Sequence, residues 1–213
     1  MLKSFLTIVV LLVSFTAMSL FLNKQSFDTP RSTVYQIVTD RANQGSGVMI
    51  APHLMVTAGH VANHTSPTKI FVNGKEAQVL EIDENRDLAL LWVEQVCPCA
   101  SLALESPDVD TEVIAVGFPL GMAQVATTGR FQGAVANSRV LSTTSIIFGN
   151  SGGGLFAWNW FSGIPKWELV GITVEVPGIN LGFFGIPIFN VTRSVPAESI
   201  FKFLHEPKSS ANQ

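Results

Sequence analysis

The sequence predicts an all-β fold, a sandwich or a barrel, and three observations lead there. From Thr33 onward the chain is a succession of short apolar runs separated by turn residues, the pattern of sheet proteins. One of those turns is Asn73-Gly74, a dipeptide that favours the positive φ angles of a tight hairpin. After a polar stretch at 23–32, the only long helical candidate is Pro196 to His205, with proline at its start.

The elements follow in order. Phe5 to Leu22 is an uncharged, mostly apolar run of 18 residues between Lys3 and Lys24. That is the lower limit for a membrane-spanning helix and exceeds the usual apolar core of a secretory signal, roughly 7–15 residues. A buried core helix would carry a polar stripe, which this run lacks. Residues 1–26 are therefore read as a hydrophobic helix acting as signal-anchor, with a cleaved signal peptide as the alternative, cut near Ala17-Met18-Ser19. Either one carries the rest of the chain across a membrane, and the anchor would also hold it there. Residues 23–32 read as a polar linker.

Beyond the linker, Gly47–Ala51 and Leu54–Thr57 read as strands around a Pro52-His53 turn. Ile70–Val72 and Ala77–Leu80 flank Asn73-Gly74, and Leu88–Val93 follows directly after Asp87. Pro107-Asp108 marks a junction, after which Val113–Val116 restarts the strand pattern. Gly117–Gly121 is a turn. Phe131–Val135, Val140–Leu141, Leu169–Val176 and Phe183–Ile188 continue in strands.

At 213 residues the chain can build one or two units with a real core. It carries 13 Lys and Arg against 16 Asp and Glu, with no basic run and no basic–aromatic patch. Nucleic-acid binding by phosphate neutralisation is therefore not expected. The two cysteines, Cys97 and Cys99, are too few for a disulfide framework, and no nearby third ligand completes a metal site. They are read as two partly buried thiols, with a labile disulfide as the alternative in an exported chain. No metal and no cofactor is expected.

Three residues carry the chemistry. His60 lies in Thr57-Ala58-Gly59-His60-Val61, Asp87 in Arg86-Asp87-Leu88-Ala89, and Ser151 in Gly149-Asn150-Ser151-Gly152-Gly153. A serine hydroxyl is a poor nucleophile until an adjacent imidazole takes its proton. The imidazole needs one tautomer and one orientation, which a carboxylate fixes. Unrelated folds run these residue types in different chain orders, and His…Asp…Ser points to the double β-barrel arrangement. Glycines around Ser151 let the backbone turn so that the N–H groups of Gly149 and Ser151 aim at one spot, an oxyanion hole. Asp83 is a rival for Asp87. His53 is read as a turn residue, while His64 and His205 have no catalytic setting.

These segments resemble the trypsin-like serine proteases, and most closely the HtrA (DegP-like) branch. The matching stretches are GSGVMIAPHLMVTAGHV (45–61), RDLALLWV (86–93), VIAVGFPLG (113–121), GNSGG (149–153), LVGI (169–172) and LGFFGIPI (181–188). The resemblance implies two packed antiparallel β-barrels with the site between them and a short C-terminal helix. The first barrel, with the linker, would span 27–108, and the second, with the helix, 109–213. It also implies His60 as general base, Asp87 as orienting carboxylate, Ser151 as nucleophile, and Gly149 and Ser151 as oxyanion-hole donors. Ser145 matches the base of the specificity pocket, with Val174, Val176 and Phe184 on its walls. An uncharged pocket implies an apolar residue before the scissile bond. Asn150 stands where digestive trypsins have Asp, and Gly154 where the family usually has proline. No PDZ-like segment is expected after the barrels.

The implied activity is a serine endopeptidase acting on exported or unfolded polypeptides through an acyl-enzyme, outside the cytoplasm. The alternatives are a narrow-specificity processing protease, viral or phage-borne, and a non-catalytic binding module on a protease fold. The aromatic segment 156–167 is read as cross-strand packing of Trp158 and Trp160 with Trp167, against a surface resting on a membrane or a partner.

Overall fold

The computed structural model describes residues 18, 27–41, 43–63, 69–96, 98–159, 165–175, 177–180, 185–187 and 190–206. Six strands form the first barrel: β1 (Val34–Thr39), β2 (Gln44–Ala51), β3 (Leu54–Ala58), β4 (Ile70–Val72), β5 (Lys75–Asp83) and β6 (Leu88–Trp92). They close in the order β1-β2-β3-β6-β5-β4, and every pairing is antiparallel. The turns are those the sequence announced. His53 at the β2–β3 turn has φ 63°, and Asn73 and Gly74 have φ 50° and 75°.

A short parallel strand, β7 (Ser101–Leu102), leads into the second barrel. That barrel comprises β8 (Glu112–Gly117), β9 (Val125–Val135), β10 (Arg139–Ser142), β11 (Gly154–Asn159), β12 (Lys166–Glu175) and β15 (Thr192–Pro196). Its order is β11-β8-β9-β10-β15-β12, and β12 pairs back onto β11 to close it. β7 lies outside the ring, beside β12. Between β12 and β15, β13 (Gly178–Asn180) and β14 (Gly185–Pro187) make a two-stranded hairpin. The expected two-barrel architecture is thus the one observed. The terminal helix runs Ala197–His205 with Pro196 capping it, and buries Ile200 and Phe203.

The uninterrupted apolar runs of the second barrel have a physical reason. Side chains alternate across a strand. In β8 and β11, Val113, Ala115, Leu155 and Ala157 fill the barrel interior, while Ile114, Val116, Phe156 and Trp158 join the core of the first barrel. Strands buried on both faces read as continuous hydrophobic stretches. Full burial of one such large side chain is worth roughly 1.5–3 kcal/mol, so this shared face fixes how the barrels meet. Trp158 and Trp167 are directly cross-strand, edge to face at 5.6 Å and both buried. For this pair the packing reading holds; Trp160 lies outside the described residues.

Two expectations are corrected. The end of the polar linker is a helix, Asp28–Thr33. Pro30 sits in its first turn, where its fixed φ suits a helix, and Asp28 favours the positive end of the helix dipole. Phe27 anchors the segment edge-on against Trp167 at 5.7 Å. Cys99 is disulfide-bonded and not a thiol. A bridged sulfur is as apolar as a thiol, so its packing against the core does not favour the reduced form; Cys97 lies outside the described residues. The hydrophobic segment at 1–26 also lies outside them, apart from Met18. Among the described residues no helix is long and apolar enough to cross a membrane.

Candidate active site

The first barrel places a histidine against a carboxylate by register. β3 pairs with β6 so that Ala58 faces Leu88. His60 follows two residues after Ala58, on a single helical turn (Gly59–Ala62), and Asp87 immediately precedes Leu88. The two side chains therefore meet at one end of the barrel. His60 Nδ1 is 3.0 Å from Asp87 Oδ2 and 3.1 Å from Oδ1, and the His60 main-chain N–H donates to Oδ1 at 2.8 Å. A carboxylate only accepts, so Nδ1 carries the hydrogen and Nε2 presents a lone pair. Gly59 suits this approach: a Cβ there would lie 3.1 Å from Asp87 Oδ1 and from Leu88 N, tighter than ordinary contact.

Burial alone would push the Asp87 carboxyl up. Hydrogen bonding to the His60 ring, the charge of that ring, the His60 main-chain N–H and the more distant Arg139 outweigh it and hold the group below the ordinary aspartate value. Asp83, the rival, is otherwise engaged. It accepts from the Arg86 main-chain N–H at 2.9 Å and from the Arg86 guanidinium at 2.6 Å. The same guanidinium donates to both oxygens of Glu206 at the end of the terminal helix, each at 2.7 Å. Glu206 first and Asp83 second raise the Arg86 pKa. His53 is a turn residue, its ring stacked on Trp92 and Nδ1 on Val93 O.

The second barrel supplies Ser151 on the loop between β10 and β11, and that loop is bolted to the first barrel. The Ser46 N–H donates to Ser151 O at 2.8 Å, and the Ser46 hydroxyl donates to Gly149 O at 2.8 Å. Ser46 is fully buried, and its Oγ also accepts the Phe118 N–H at 3.0 Å. Thr57 Oγ1 donates to Ser46 O at 2.7 Å. Gly152, at φ 83°, fits beneath this knot: any Cβ would overlap Ser46 O and Thr57 Oγ1. Ser46 and Thr57 were not singled out from the sequence, although both lie in the 45–61 stretch.

His60, Gly149 and Ser151 line one cleft of about 560 Å³, with Thr39, Asn43, Gln44, Val61, Leu120 and Phe148. Phe148 is 81% exposed and Leu120 57%, so the cleft has an apolar rim, and among its described lining residues His60 alone is ionisable. The hydroxyl of Ser151 donates to Val174 O at 3.1 Å; among the described residues it makes no hydrogen bond to His60. The N–H groups of Gly149 and Ser151 donate to no described residue, whereas those of Asn150 and Gly152 do. Alternate N–H groups of the loop are thus left without an acceptor among the described residues. The Ser145 hydroxyl is exposed and donates to Asn190 Oδ1 at 3.2 Å. Val174 is buried beside Ser151; Val176 and Phe184 lie outside the described residues. No cluster of metal-ligating side chains occurs among the described residues.

Similarity to known proteins identifies the family. Residues 45–172 match the family described as the trypsin-like peptidase domain. The chain belongs to this family. Among curated proteins it is 31% identical over 178 residues to the periplasmic pH-dependent serine endoprotease DegQ of Escherichia coli, which covers 73% of this chain and 37% of DegQ. It is 30% identical over 163 residues to the magnetosome formation protease MamE of Paramagnetospirillum magneticum, 68% of this chain and 21% of MamE. The chain therefore spans well under half the length of the curated relatives it matches. Among solved structures, the serine endoprotease from Yersinia pestis superposes with a TM-score of 0.69 at 21% identity, covering 86% of this chain and 65% of that one. At that identity the likeness concerns the fold.

Proposed function

We propose that this chain is a serine endopeptidase with His60 as general base, Asp87 as its orienting carboxylate and Ser151 as nucleophile. The observation that carries the reading is His60 Nδ1 at 3.0 Å from Asp87 Oδ2 in the cleft that also holds Ser151: a carboxylate only accepts, so the hydrogen belongs on Nδ1 and Nε2 of the neutral ring is left to act as base. The reaction begins when the Ser151 hydroxyl turns from Val174 O towards Nε2. Oγ attacks the scissile carbonyl as Nε2 takes its proton, and Asp87 stabilises the imidazolium. The oxyanion of the tetrahedral intermediate is received by the N–H groups of Gly149 and Ser151. One such donor is typically worth ~10²–10³ in rate. Collapse breaks the C–N bond, the amine leaves with the proton from Nε2, and the acyl group stays on Oγ. Water, deprotonated by Nε2, then releases the acid and restores the hydroxyl.

The substrate is a polypeptide, as the relatives' protease names support. Ser145, which the resemblance puts at the base of the specificity pocket, is uncharged and bonded to the uncharged Asn190, and Val174 is read as an apolar wall. This favours an uncharged, apolar residue before the cleaved bond, as does the resemblance, which gives the other walls to Val176 and Phe184. The apolar run at 5–22 and the periplasmic relative support work outside the cytoplasm, with the N-terminal segment as anchor or signal. The test is labelling of the full chain with a fluorophosphonate probe. Labelling that disappears in both Ser151→Ala and His60→Ala supports the assignment. A folded wild-type chain that takes no label, or a Ser151→Ala variant that still does, overturns it.

A further inference from the structure

We propose that the buried hydroxyl of Thr173 is a positioning group for the oxyanion-binding N–H of Ser151; the inference rests on the reading of Ser151 as nucleophile. A trans peptide unit is planar, with its C=O and the following N–H pointing in opposite directions. The direction of the Ser151 N–H is therefore set by whatever holds the carbonyl of Asn150. Two donors hold it: the Gly153 N–H at 2.8 Å and Thr173 Oγ1 at 2.8 Å. The same logic applies two peptides earlier, where the Leu120 N–H holds Phe148 O at 2.7 Å and so aims the Gly149 N–H. There the work is done by backbone. At Ser151 it falls partly to a side chain.

Thr173 directs all three of its polar groups at the nucleophile loop. Its N–H donates to Gly153 O at 2.8 Å, its carbonyl accepts from the Gly152 N–H at 2.7 Å, and its hydroxyl donates to Asn150 O. The backbone pair suffices to dock the loop. Thr173 is 1% exposed, between buried Ile172 and Val174, so valine would serve for packing. A hydroxyl there is costly unless bonded. It has one proton to give, and Gly153 O, at 3.2 Å, is already satisfied by the Thr173 N–H. Asn150 O is what the hydroxyl serves.

The test is a series at one position: Thr173→Val keeps the shape and removes the donor, Thr173→Ser keeps the donor, and Thr173→Cys offers a weak one. The readouts are the fluorophosphonate labelling rate, kcat and KM on a quenched peptide substrate, and the pH midpoint of kcat/KM, each on the full chain. Loss of a whole oxyanion donor costs ~10²–10³, and Gly153 still holds the carbonyl, so Thr173→Val is expected to lower kcat about tenfold. KM and the pH midpoint stay put, because His60 and Asp87 are untouched. The expected order is Thr and Ser above Cys above Val. If Thr173→Val fails to fold, the Ser and Cys variants still rank by donor strength. A flat series, an order that follows side-chain volume, or a loss that appears in KM or in the pH midpoint overturns the proposal alone, provided the wild-type chain is labelled. A folded wild-type chain without label overturns this proposal and the assignment of Ser151 together.

Discussion

Asp87→Asn tests the site at its most constrained point. Asp87 Oδ1 accepts the His60 main-chain N–H at 2.8 Å while Oδ2 faces ring Nδ1 at 3.0 Å. An asparagine amide has one acceptor and one donor end. The main-chain N–H cannot accept, so the amide oxygen must take its side and the NH₂ must face Nδ1. The ring then accepts at Nδ1 and carries its proton on Nε2, facing the cleft. In that tautomer it cannot remove the Ser151 proton. The shape of the site is unchanged, so the loss is confined to proton transfer. The same substitution in a serine-protease triad lowers kcat by ~10⁴, about 5.5 kcal/mol of barrier. Initial rates on a quenched fluorescent casein measure it, with a thermal melt to establish folding. A folded variant that loses less than tenfold would refute the tautomer argument.

Other perturbations probe how the two barrels hold each other. Gly152→Ala places a Cβ against Ser46 O and Thr57 Oγ1 at a positive φ. Overpacking costs about 1–3 kcal/mol and the left-handed backbone about 1–2 more, so Tm should fall on the order of 10 °C. Activity should drop ~10²-fold as Ser151 shifts; wild-type melting and rate together would contradict the packing described. Asp87 sits below the ordinary aspartate value in the folded chain. Its contribution to stability is therefore complete above the unfolded value of about 3.9 and is lost as pH falls through the lower folded value. Chemical unfolding of wild type and Asp87→Asn below about pH 4 should show the wild type losing stability faster; parallel curves would contradict this. Glu206→Gln breaks a pair whose side chains are 31% and 49% exposed. Solvent screening limits the cost to about 0.2–1 kcal/mol, and a loss above about 3 kcal/mol in denaturant titration would show the pair to be structural.

Much of the fold was legible because its strands announce themselves locally. Asn73-Gly74 named its own hairpin, and Pro52-His53 its turn. The runs Val113–Val116 and Leu155–Trp158 read as apolar without a face, because they have two buried faces. The short helix Asp28–Thr33 escaped notice because six residues carry too little periodicity and its anchor, Phe27 on Trp167, is distant in sequence. For the site, His60 and Asp87 could be read because each sits in a recognisable local stretch, Thr57–Val61 and Arg86–Ala89. Ser46 and Thr173 could not be assigned roles, because what each hydroxyl bonds lies 103 and 23 residues away. One signal was available: a hydroxyl inside an apolar strand, when buried, must find a partner.

The arrangement separates what is built in advance from what remains to move. The first barrel holds His60 in one tautomer through Asp87. It also reaches across with Ser46 and Thr57 to seat the loop of the second barrel. The carbonyls of Phe148, Gly149 and Asn150 are each held by a donor from outside the peptide they belong to. Three successive peptide planes are thus fixed before any substrate arrives, and the cost of orienting the Gly149 and Ser151 N–H groups, the proposed oxyanion donors, is met during folding. What is not set is the Ser151 hydroxyl, resting on Val174 O. Rotation of a single side-chain bond is fast beside turnover, since rotamer changes at exposed residues take picoseconds to nanoseconds. A chain that places its slow reorganisation in folding and leaves a fast rotation for catalysis should bind a fluorophosphonate without a lag. A lag in the wild-type labelling time course would mean that a loop, and not a hydroxyl, is what has to move.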